Sequence, residues 1–188
     1  MVQKQQKLVI LCGAPGSGKT TVQDFLVQSG FTKVITHTTR KRRATEQDGH
    51  DYYFETATSF KSKHYLETVV YDGQAYGSSF EGLKKALLPT GKAVIVLDTQ
   101  GVKAYLEKLP AELLTVIFLK VPSKKLQKER LIARGDNLAS IKQRLASKEA
   151  KRDEKLSPEL ESVAHVLVNQ ELAKTLAQVK RIVTDTPG

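Results

Sequence analysis

Short apolar runs recur along the chain, separated by longer segments in which polar and apolar residues alternate with a helical period. The apolar runs cover residues 8–12, 93–97 and 113–119. Runs of this length without strict alternation are typical of strands buried on both faces of a parallel sheet. Because helical segments alternate with them, the pattern predicts an α/β fold in which helices cover both faces of a parallel sheet.

Helical periodicity predicts the segments that connect these strands. The first helix follows a glycine-rich turn and carries Val22, Phe25 and Leu26 on one face. Ser123 is a favourable N-cap for a later helix. A long basic helix follows it over residues 138–155. The predicted helices cover residues 19–28, 80–88, 102–109, 124–133, 138–155 and 172–183.

A second group of strands is predicted between the first helix and residue 80. It consists of short runs rich in tyrosine and valine at residues 52–54, 66–71 and 74–77. Asp72 and Gly73 separate the last two runs and form a strong hairpin signal. We therefore expect a small β-rich insertion in the larger fold.

The length and cysteine content limit the class of protein. A chain of 188 residues is the size of one domain, and it has no stretch of about 18 consecutive apolar residues as in a membrane span. The first residues lack the apolar core and cleavage site of a signal peptide, so we expect a cytoplasmic protein. Cys12 is the only cysteine, which excludes an intrachain disulfide framework and a multi-cysteine zinc site.

The positive charge is large and concentrated in two segments. The formal net charge is +10. Residues 33–43 contain five basic and no acidic residues, and residues 120–155 contain twelve basic and five acidic residues, so these segments carry more positive charge than the whole chain. An anionic partner is expected, either nucleic acid, a lipid surface or a phosphorylated small molecule. Charge alone does not choose among them.

A phosphate-binding motif lies between the first predicted strand and the first helix. The segment follows the pattern G-x-x-x-x-G-K-S/T and consists of Gly13, Ala14, Pro15, Gly16, Ser17, Gly18, Lys19 and Thr20. Its backbone N–H groups can surround a phosphate at a helix N-terminus. Lys19 can reach the β- and γ-phosphates, and the Thr20 hydroxyl can bind Mg²⁺. The motif predicts a nucleoside triphosphate site and leaves the acceptor open.

Several later motifs, in their order and spacing, resemble the guanylate kinase family. They are His37-Thr38-Thr39-Arg40, residues 48–54, Leu66-Glu67, Tyr76-Gly77-Ser78, Asp98-Thr99-Gln100-Gly101, residues 130–135 and Val168-Asn169. The resemblance implies a single domain with a three-layer α/β/α P-loop core at residues 1–35, 80–130 and 156–188. It further implies a GMP-binding insertion at residues 36–79 and a helical lid at about 131–155.

The resemblance also implies how GMP is bound. Arg40, Arg43 and Tyr52 would hold its phosphate, with Tyr76 in contact with it, and the planar fork of arginine suits phosphate oxygens. The Glu67 carboxylate would accept hydrogen bonds from guanine N1–H and the exocyclic amine. Further residues would complete the base pocket, namely Thr36, Ser78 and Asp98.

On the ATP side, the resemblance places arginines over the transferring phosphoryl group. Arg130 and Arg134 are four residues apart and therefore lie on one helical face, and Arg144 follows on the next helix. Asn169 matches a residue near the adenine site. The residues implied to stabilise the transition state are Lys19, Arg40, Arg134 and Arg144. The implied reaction is ATP-dependent phosphorylation of GMP to GDP with Mg²⁺ in purine nucleotide metabolism, and it needs no general base.

Two departures from the family pattern leave an alternative function open. Val96 stands where the family has an aspartate, and residues 40–46 lack its prolines and glycine. The chain could therefore be a paralogue of weak or altered activity, or a guanylate-kinase-like module that binds a phosphorylated ligand on its Arg40–Tyr52 surface. The complete P-loop argues against such a module.

An RNA-binding P-loop protein is the other alternative. It would use the long basic helix, but aromatic residues that could stack on bases are nearly absent around residues 120–155. The pattern thus favours small nucleotides as partners over nucleic acid or a membrane, and leaves the oligomeric state open.

Overall fold

A computed structural model describes residues 6–44, 46–71, 73–135 and 138–185 of the chain. Its strands are β1 (Lys7–Cys12), β2 (Thr32–Lys33), β3 (His37–Thr38), β4 (Tyr53–Phe54), β5 (Tyr65–Tyr71), β6 (Gln74–Ser79), β7 (Lys92–Val96), β8 (Leu114–Lys120) and β9 (Ala164–Val168). Its helices are α1 (Lys19–Gln28), α2 (Ala57–Lys61), α3 (Phe80–Leu87), α4 (Thr99–Lys108), α5 (Lys124–Ala133), α6 (Leu138–Ala146), α7 (Lys148–Arg152), α8 (Pro158–Glu161) and α9 (Leu172–Asp185), with a short 3₁₀ turn at Ala111–Leu113.

The central sheet is parallel, with strand order β2-β7-β1-β8-β9. β1 lies in the middle, where Ile10 is in register with Ile95 of β7 and Val116 of β8. All residues from Leu8 to Cys12 are completely buried, which explains the unbroken apolar run. The predicted α/β fold is confirmed, and the carboxyl ends of these strands form one edge of the sheet, where ligands bind in such folds.

Helices cover both faces of this sheet and make three layers. On one face, Val9 and Leu11 pack with Leu26 of α1 and Val179 of α9. On the other face, Leu8 and Ile10 pack with residues of α3, α4 and α8. Each fully buried leucine or isoleucine contributes about 1.5–3 kcal/mol of hydrophobic free energy. Among the described residues, no helix is both long enough and apolar enough to cross a bilayer.

A smaller sheet, with strand order β4-β3-β6-β5, stands beside the central one. β5 and β6 form the predicted antiparallel hairpin, and Gly73 in its turn has φ +71°. Asp72 of the predicted turn lies outside the described residues. A bulge between Tyr65 and Glu67 shifts the register of this hairpin, so that Glu67 pairs with Ser78.

The prediction of one long basic helix over residues 138–155 is wrong. α6 ends at Ala146, and Ser147 has extended backbone angles of φ −63° and ψ 154°. The Ser147 hydroxyl accepts a hydrogen bond from the Ala150 N–H at 3.1 Å. Serine competes with helix continuation through such side-chain bonds, and it therefore ends one helix and caps the next.

Other differences from the predicted elements are short. Two short strands, Thr32–Lys33 and His37–Thr38, lie between α1 and the small sheet's hairpin and are absent from the predicted elements. α2 was not predicted from its composition, although Thr56 and Ser59 form a reciprocal capping box at its start. Each of these elements is shorter than the stretch of residues over which a hydrophobic period can be recognised.

Candidate active site

A cleft of about 730 Å³ opens at the carboxyl edge of the central sheet. It is lined by residues from the P-loop, the predicted insertion and α5, among them Lys19, Thr20, Thr36, Tyr52, Arg130 and Arg134. Predicted residues from three separate parts of the sequence thus face one space.

The P-loop conformation depends on glycine at two positions where other atoms come very close. Gly13 has φ +133°, and a Cβ there would lie 2.3 Å from the Leu119 carbonyl oxygen. Gly18 has φ +98°, and a Cβ there would lie 2.3 Å from the Asn169 amide nitrogen. Both angles lie in the left-handed region that side chains other than glycine rarely adopt. The loop is therefore packed tightly against the ends of β8 and β9.

Lys19 folds back across the loop that precedes it. Its Nζ donates hydrogen bonds to the carbonyl oxygens of Gly13 at 2.7 Å and Ala14 at 3.0 Å. The hydroxyl of Ser17 is buried and has no hydrogen-bond partner in the described part of the chain. Thr20 is exposed to the cleft in the first turn of α1. This arrangement concentrates an ammonium group and hydroxyl donors at the positive end of a helix dipole.

Two buried amides hold the P-loop from behind. Gln127 of α5 donates from Nε2 to the Pro15 carbonyl at 2.8 Å, and Asn169 donates from Nδ2 to the Ser17 carbonyl at 2.8 Å. The Asn169 side chain also accepts a hydrogen bond from the Thr175 hydroxyl. Gln127 and Thr175 were not predicted as site residues. A glutamine on the apolar side of α5 is the one signal that could have indicated Gln127.

The three arginines predicted to cover the transferring phosphoryl group differ from one another in their surroundings. Arg130 lines the cleft, and its Nη2 donates to the Asn169 carbonyl at 2.8 Å. Its Nη1 is buried and has no partner among the described residues. Arg134 also lines the cleft and is exposed. Arg144 belongs to α6, but its side chain lies outside the described part of the structure.

The arginine predicted to hold the GMP phosphate is held by a carboxylate that was not predicted. Arg40 donates from Nη2 to Glu46 Oε1 at 2.7 Å and from Nη1 to Oε2 at 3.1 Å. The backbone N–H of Arg43 donates to the same carboxylate at 2.8 Å. The hydrogen bond from Arg40 lowers the pKa of Glu46 and raises the pKa of Arg40. The Arg43 side chain is exposed, so both arginines stand at one anion-attracting loop.

Aromatic rings surround the Arg40 guanidinium. Its central carbon lies 5.5 Å from the centroid of the Tyr52 ring and 5.8 Å from that of Phe54. The Tyr52 and Tyr76 rings are 6.1 Å apart. Burial raises the pKa of the Tyr52 hydroxyl, which keeps it protonated as a donor. The structure therefore brings Arg40, Tyr52 and Tyr76 together, and their contact with a phosphate stays a prediction.

The predicted base-reading residues face each other across the β5–β6 hairpin. The Ser78 hydroxyl donates to Glu67 Oε1 at 2.9 Å. Burial raises the pKa of Glu67, and the bond from Ser78 opposes that rise. Ser78 is fully buried, and Thr36 lines the cleft. A desolvated carboxylate with one fixed donor is suited to accept further hydrogen bonds from a ligand.

Asp98 is bound on both carboxylate oxygens. Oδ1 accepts from the Gly101 N–H at 2.7 Å and caps α4, and Oδ2 accepts from Arg152 Nη2 at 2.6 Å. The neighbouring Asp153 accepts from the Thr99 hydroxyl at 2.7 Å. Arg152 and Asp153 were not predicted, since each is more than fifty residues from its partner. The charge of Asp98 helps to raise the pKa of Glu67; its contact with the base stays a prediction.

Two further residues affect the chemistry available at this edge. Val96 lines the cleft as an apolar residue. Cys12 is completely buried, and burial raises the pKa of its thiol to about 12, so it is not ionised near neutral pH. In the described part of the chain, no three histidine, cysteine or acidic side chains are grouped as metal ligands.

Comparisons with known proteins agree with these features. A guanylate kinase family model matches residues 5–186. The guanylate kinase of Schizosaccharomyces pombe is 30% identical over 191 residues, which cover 97% of this chain and 92% of the relative. That of Protochlamydia amoebophila is 37% identical over 153 residues, covering 78% and 76%. The crystal structure of guanylate kinase from Anaplasma phagocytophilum has the same fold, with a TM-score of 0.65 at 22% identity, covering 98% of this chain and 87% of that one. With its P-loop, its parallel sheet and this match over residues 5–186, the chain belongs to the guanylate kinase family.

Proposed function

We propose that this protein transfers the terminal phosphoryl group of ATP to the phosphate of GMP and produces ADP and GDP. The observation that carries the proposal is the cleft in which the P-loop and Arg134 face Thr36 and Tyr52 of the insertion. Both nucleotides are constituents of the cytoplasm, so we propose that the protein acts there in purine nucleotide metabolism. The core at 1–35, 80–130 and 156–188 would bind ATP, the insertion at 36–79 GMP, and the lid at about 131–155 would cover both.

On the donor side, the backbone N–H groups of residues 13–20 and the Lys19 ammonium would hold the phosphates. Lys19 already lies within the loop, bonded to the carbonyls of Gly13 and Ala14, and so needs only a local shift to reach a phosphate oxygen. The Ser17 hydroxyl, which has no partner among the described residues, would supply one more buried donor beside Gly13. Arg130, which lines the cleft with Arg134, would face the phosphoryl group, and Asn169 would border the adenine.

The residues present fit a magnesium ion that is held mainly by the substrate. Mg²⁺ in such sites is bound by phosphates, waters and one or two protein oxygens, and the exposed Thr20 hydroxyl at the mouth of the P-loop is one such oxygen. Val96 offers no carboxylate in this part of the cleft. When bound, Mg²⁺ supplies positive charge that neutralises the phosphate oxygens.

On the acceptor side, Arg40, Arg43, Tyr52 and Tyr76 would hold the GMP phosphate. Glu46 occupies the end of the Arg40 guanidinium, so the edge formed by Nε and the second Nη2 hydrogen is the face presented to a phosphate. This bidentate edge would fix the acceptor oxygen relative to ATP.

The base would be selected by Glu67, together with Thr36, Ser78 and Asp98. Guanine presents N1–H and an amine on one edge, and a carboxylate accepts both hydrogen bonds. Adenine presents an acceptor at N1, which would face the Glu67 oxygen without a proton between them. The partly buried position of Glu67 makes such a mismatch costly.

Transfer itself would require positioning and charge stabilisation. The acceptor oxygen is already ionised near neutral pH, so no side chain needs to remove a proton. Lys19, Arg40, Arg134 and Arg144 would neutralise negative charge on the transferring group in the transition state. A thiolate nucleophile is not needed for this reaction, and burial raises the pKa of the Cys12 thiol to about 12.

The proposal is tested by measuring ADP formation from ATP and Mg²⁺ with GMP, dGMP, AMP, UMP and CMP as separate acceptors. We expect turnover with GMP to exceed turnover with AMP by at least about 100-fold, because the wrong base leaves a buried polar group unpaired. Equal rates with AMP and GMP would contradict the role of Glu67. The absence of turnover with every acceptor would contradict a kinase and favour a phosphate-binding module.

A further inference from the structure

Tyr105 of α4 carries an unpaired polar group in the protein interior. The side chain is completely buried, and its hydroxyl has no hydrogen-bond partner among the residues that the structure describes. Leaving such a group unpaired costs free energy, and native structures contain few of them. A phenylalanine would fill the same space without this cost, so the hydroxyl calls for an explanation.

The position of α4 places this hydroxyl behind the proposed base pocket. Lys108, one turn after Tyr105, donates from Nζ to the Leu66 carbonyl at 2.6 Å, immediately before Glu67. At the other end of α4, Asp98 caps the helix. The face of α4 that carries Tyr105 therefore lies against the strand that carries Glu67.

Two residues of the proposed pocket act on the pKa of this hydroxyl. Burial is the main cause that raises the pKa of Tyr105, while the hydroxyl of Ser78 lowers it and the charge of Glu67 raises it further. Ser78 already donates its one hydrogen to Glu67, and its oxygen can still accept hydrogen bonds. The geometry agrees with this, because Tyr105 packs in one buried cluster with Leu66 and Ser78 is paired with the next residue, Glu67.

We propose that Tyr105 is a positioning residue for the guanine pocket, whose hydroxyl donates to Ser78 when GMP is bound and so fixes the direction of the Ser78–Glu67 hydrogen bond. With Tyr105 as donor, the Ser78 hydrogen points to Glu67 and cannot turn away. The carboxylate then keeps its acceptor character toward guanine. Tyr105 would therefore contribute to the choice of guanine over adenine without touching the base.

This inference rests on the proposed GMP site, and Tyr105→Phe tests it because only the hydroxyl is removed. We expect the Kd for GMP, measured by calorimetry, and the KM for GMP to rise about three- to tenfold, the effect of one net hydrogen bond. The KM for ATP and kcat should stay within about twofold. The preference for GMP over AMP should fall, because the acceptor character of Glu67 is less well fixed.

Tyr65→Phe is a matched control. The Tyr65 hydroxyl is also buried without a partner in the described part of the chain, but its ring stacks on Phe60, and the charges that act on its pKa are those of Glu55 and Glu81. Removing an unpaired buried hydroxyl should stabilise this variant without changing the Kd for GMP. If Tyr105→Phe gives the same result as Tyr65→Phe, the inference is wrong.

Ser78→Ala completes a double-mutant cycle. If Tyr105 acts through Ser78, Tyr105→Phe should have no further effect on GMP binding in the Ser78→Ala background. Additive effects would contradict the proposed connection. Binding is measured apart from turnover, so a wild-type protein that binds GMP without phosphorylating it would contradict the kinase proposal while the cycle still decides on Tyr105. A wild-type protein that does not bind GMP would contradict both.

Discussion

At the scale of single residues, Glu67 is the side chain on which the proposed choice of acceptor depends. It is a carboxylate in a mostly desolvated position, with a single fixed donor from Ser78. Its place in the sequence, between two family motifs, made it predictable. Its burial and its raised pKa were not predictable, because they arise from α4 and Asp98, which are distant in sequence.

Replacing Glu67 by glutamine should weaken GMP binding strongly. The amide presents an N–H group where guanine also presents donors, and a charged hydrogen-bond acceptor is lost. We expect the KM for GMP to rise by about 10- to 100-fold, which corresponds to about 1.5–3 kcal/mol, with the KM for ATP unchanged. Steady-state kinetics on Glu67→Gln measure this, with Thr68→Ala as control because Thr68 is exposed on the same strand. An unchanged KM for GMP would contradict the assigned role.

The raised pKa of Glu67 also predicts how stability depends on pH. A carboxyl whose pKa in the folded state lies above its ordinary value of 4.5 favours the protonated form, so ionising it costs stability as pH rises through the folded pKa. At pH values above the folded-state pKa of Glu67, Glu67→Gln should therefore be more stable than the wild type. Below pH 4.5 this difference in stability should vanish. Free energies of unfolding from urea titrations at several pH values test this. A difference that grows toward acid pH would contradict it.

At the scale of elements, the strand–loop–helix unit of β1, P-loop and α1 was predictable because its signals are local. The apolar run, the glycines and the lysine stand within fourteen residues of one another. What holds the loop was not predictable, because Gln127 reaches Pro15 across 112 residues. Similarly, the break at Ser147 was not predictable, because the sequence does not show that its side chain caps α7.

Gln127→Leu should disturb the P-loop without removing any group that touches a nucleotide. The Pro15 carbonyl would lose its buried donor, at a cost of about 1–3 kcal/mol in the free energy of unfolding. We expect the KM for ATP to rise several-fold and the KM for GMP to stay constant. Lys128→Ala, at an exposed neighbouring position on the same helix, should change neither quantity. If the KM for GMP also rises, the substitution disturbs more than the P-loop, and this prediction is wrong.

At the scale of the whole molecule, the sheet order brings segments that are far apart in sequence to one cleft. The P-loop follows β1, the small sheet precedes β7, and the segment that we propose as a lid follows β8. The strands β7, β1 and β8 are neighbours in one parallel sheet. Part of the net charge of +10 is located at this cleft, because Lys19, Lys33, Arg130 and Arg134 line it. Arg40 lies beside Tyr52, which also lines it. Such fields attract anionic nucleotides from solution. Several lysines also form ion pairs within the fold, such as Lys103 with Glu159.

The central claim is that one cleft transfers a phosphoryl group between two nucleotides, and the fate of a label on the γ-phosphate of ATP tests it most directly. With GMP and Mg²⁺ present, the label should appear in GDP. Lys19→Ala should abolish that transfer while keeping the circular dichroism spectrum of the wild type. Label released as inorganic phosphate at a rate independent of GMP, or no release at all from folded wild-type protein, would contradict the account.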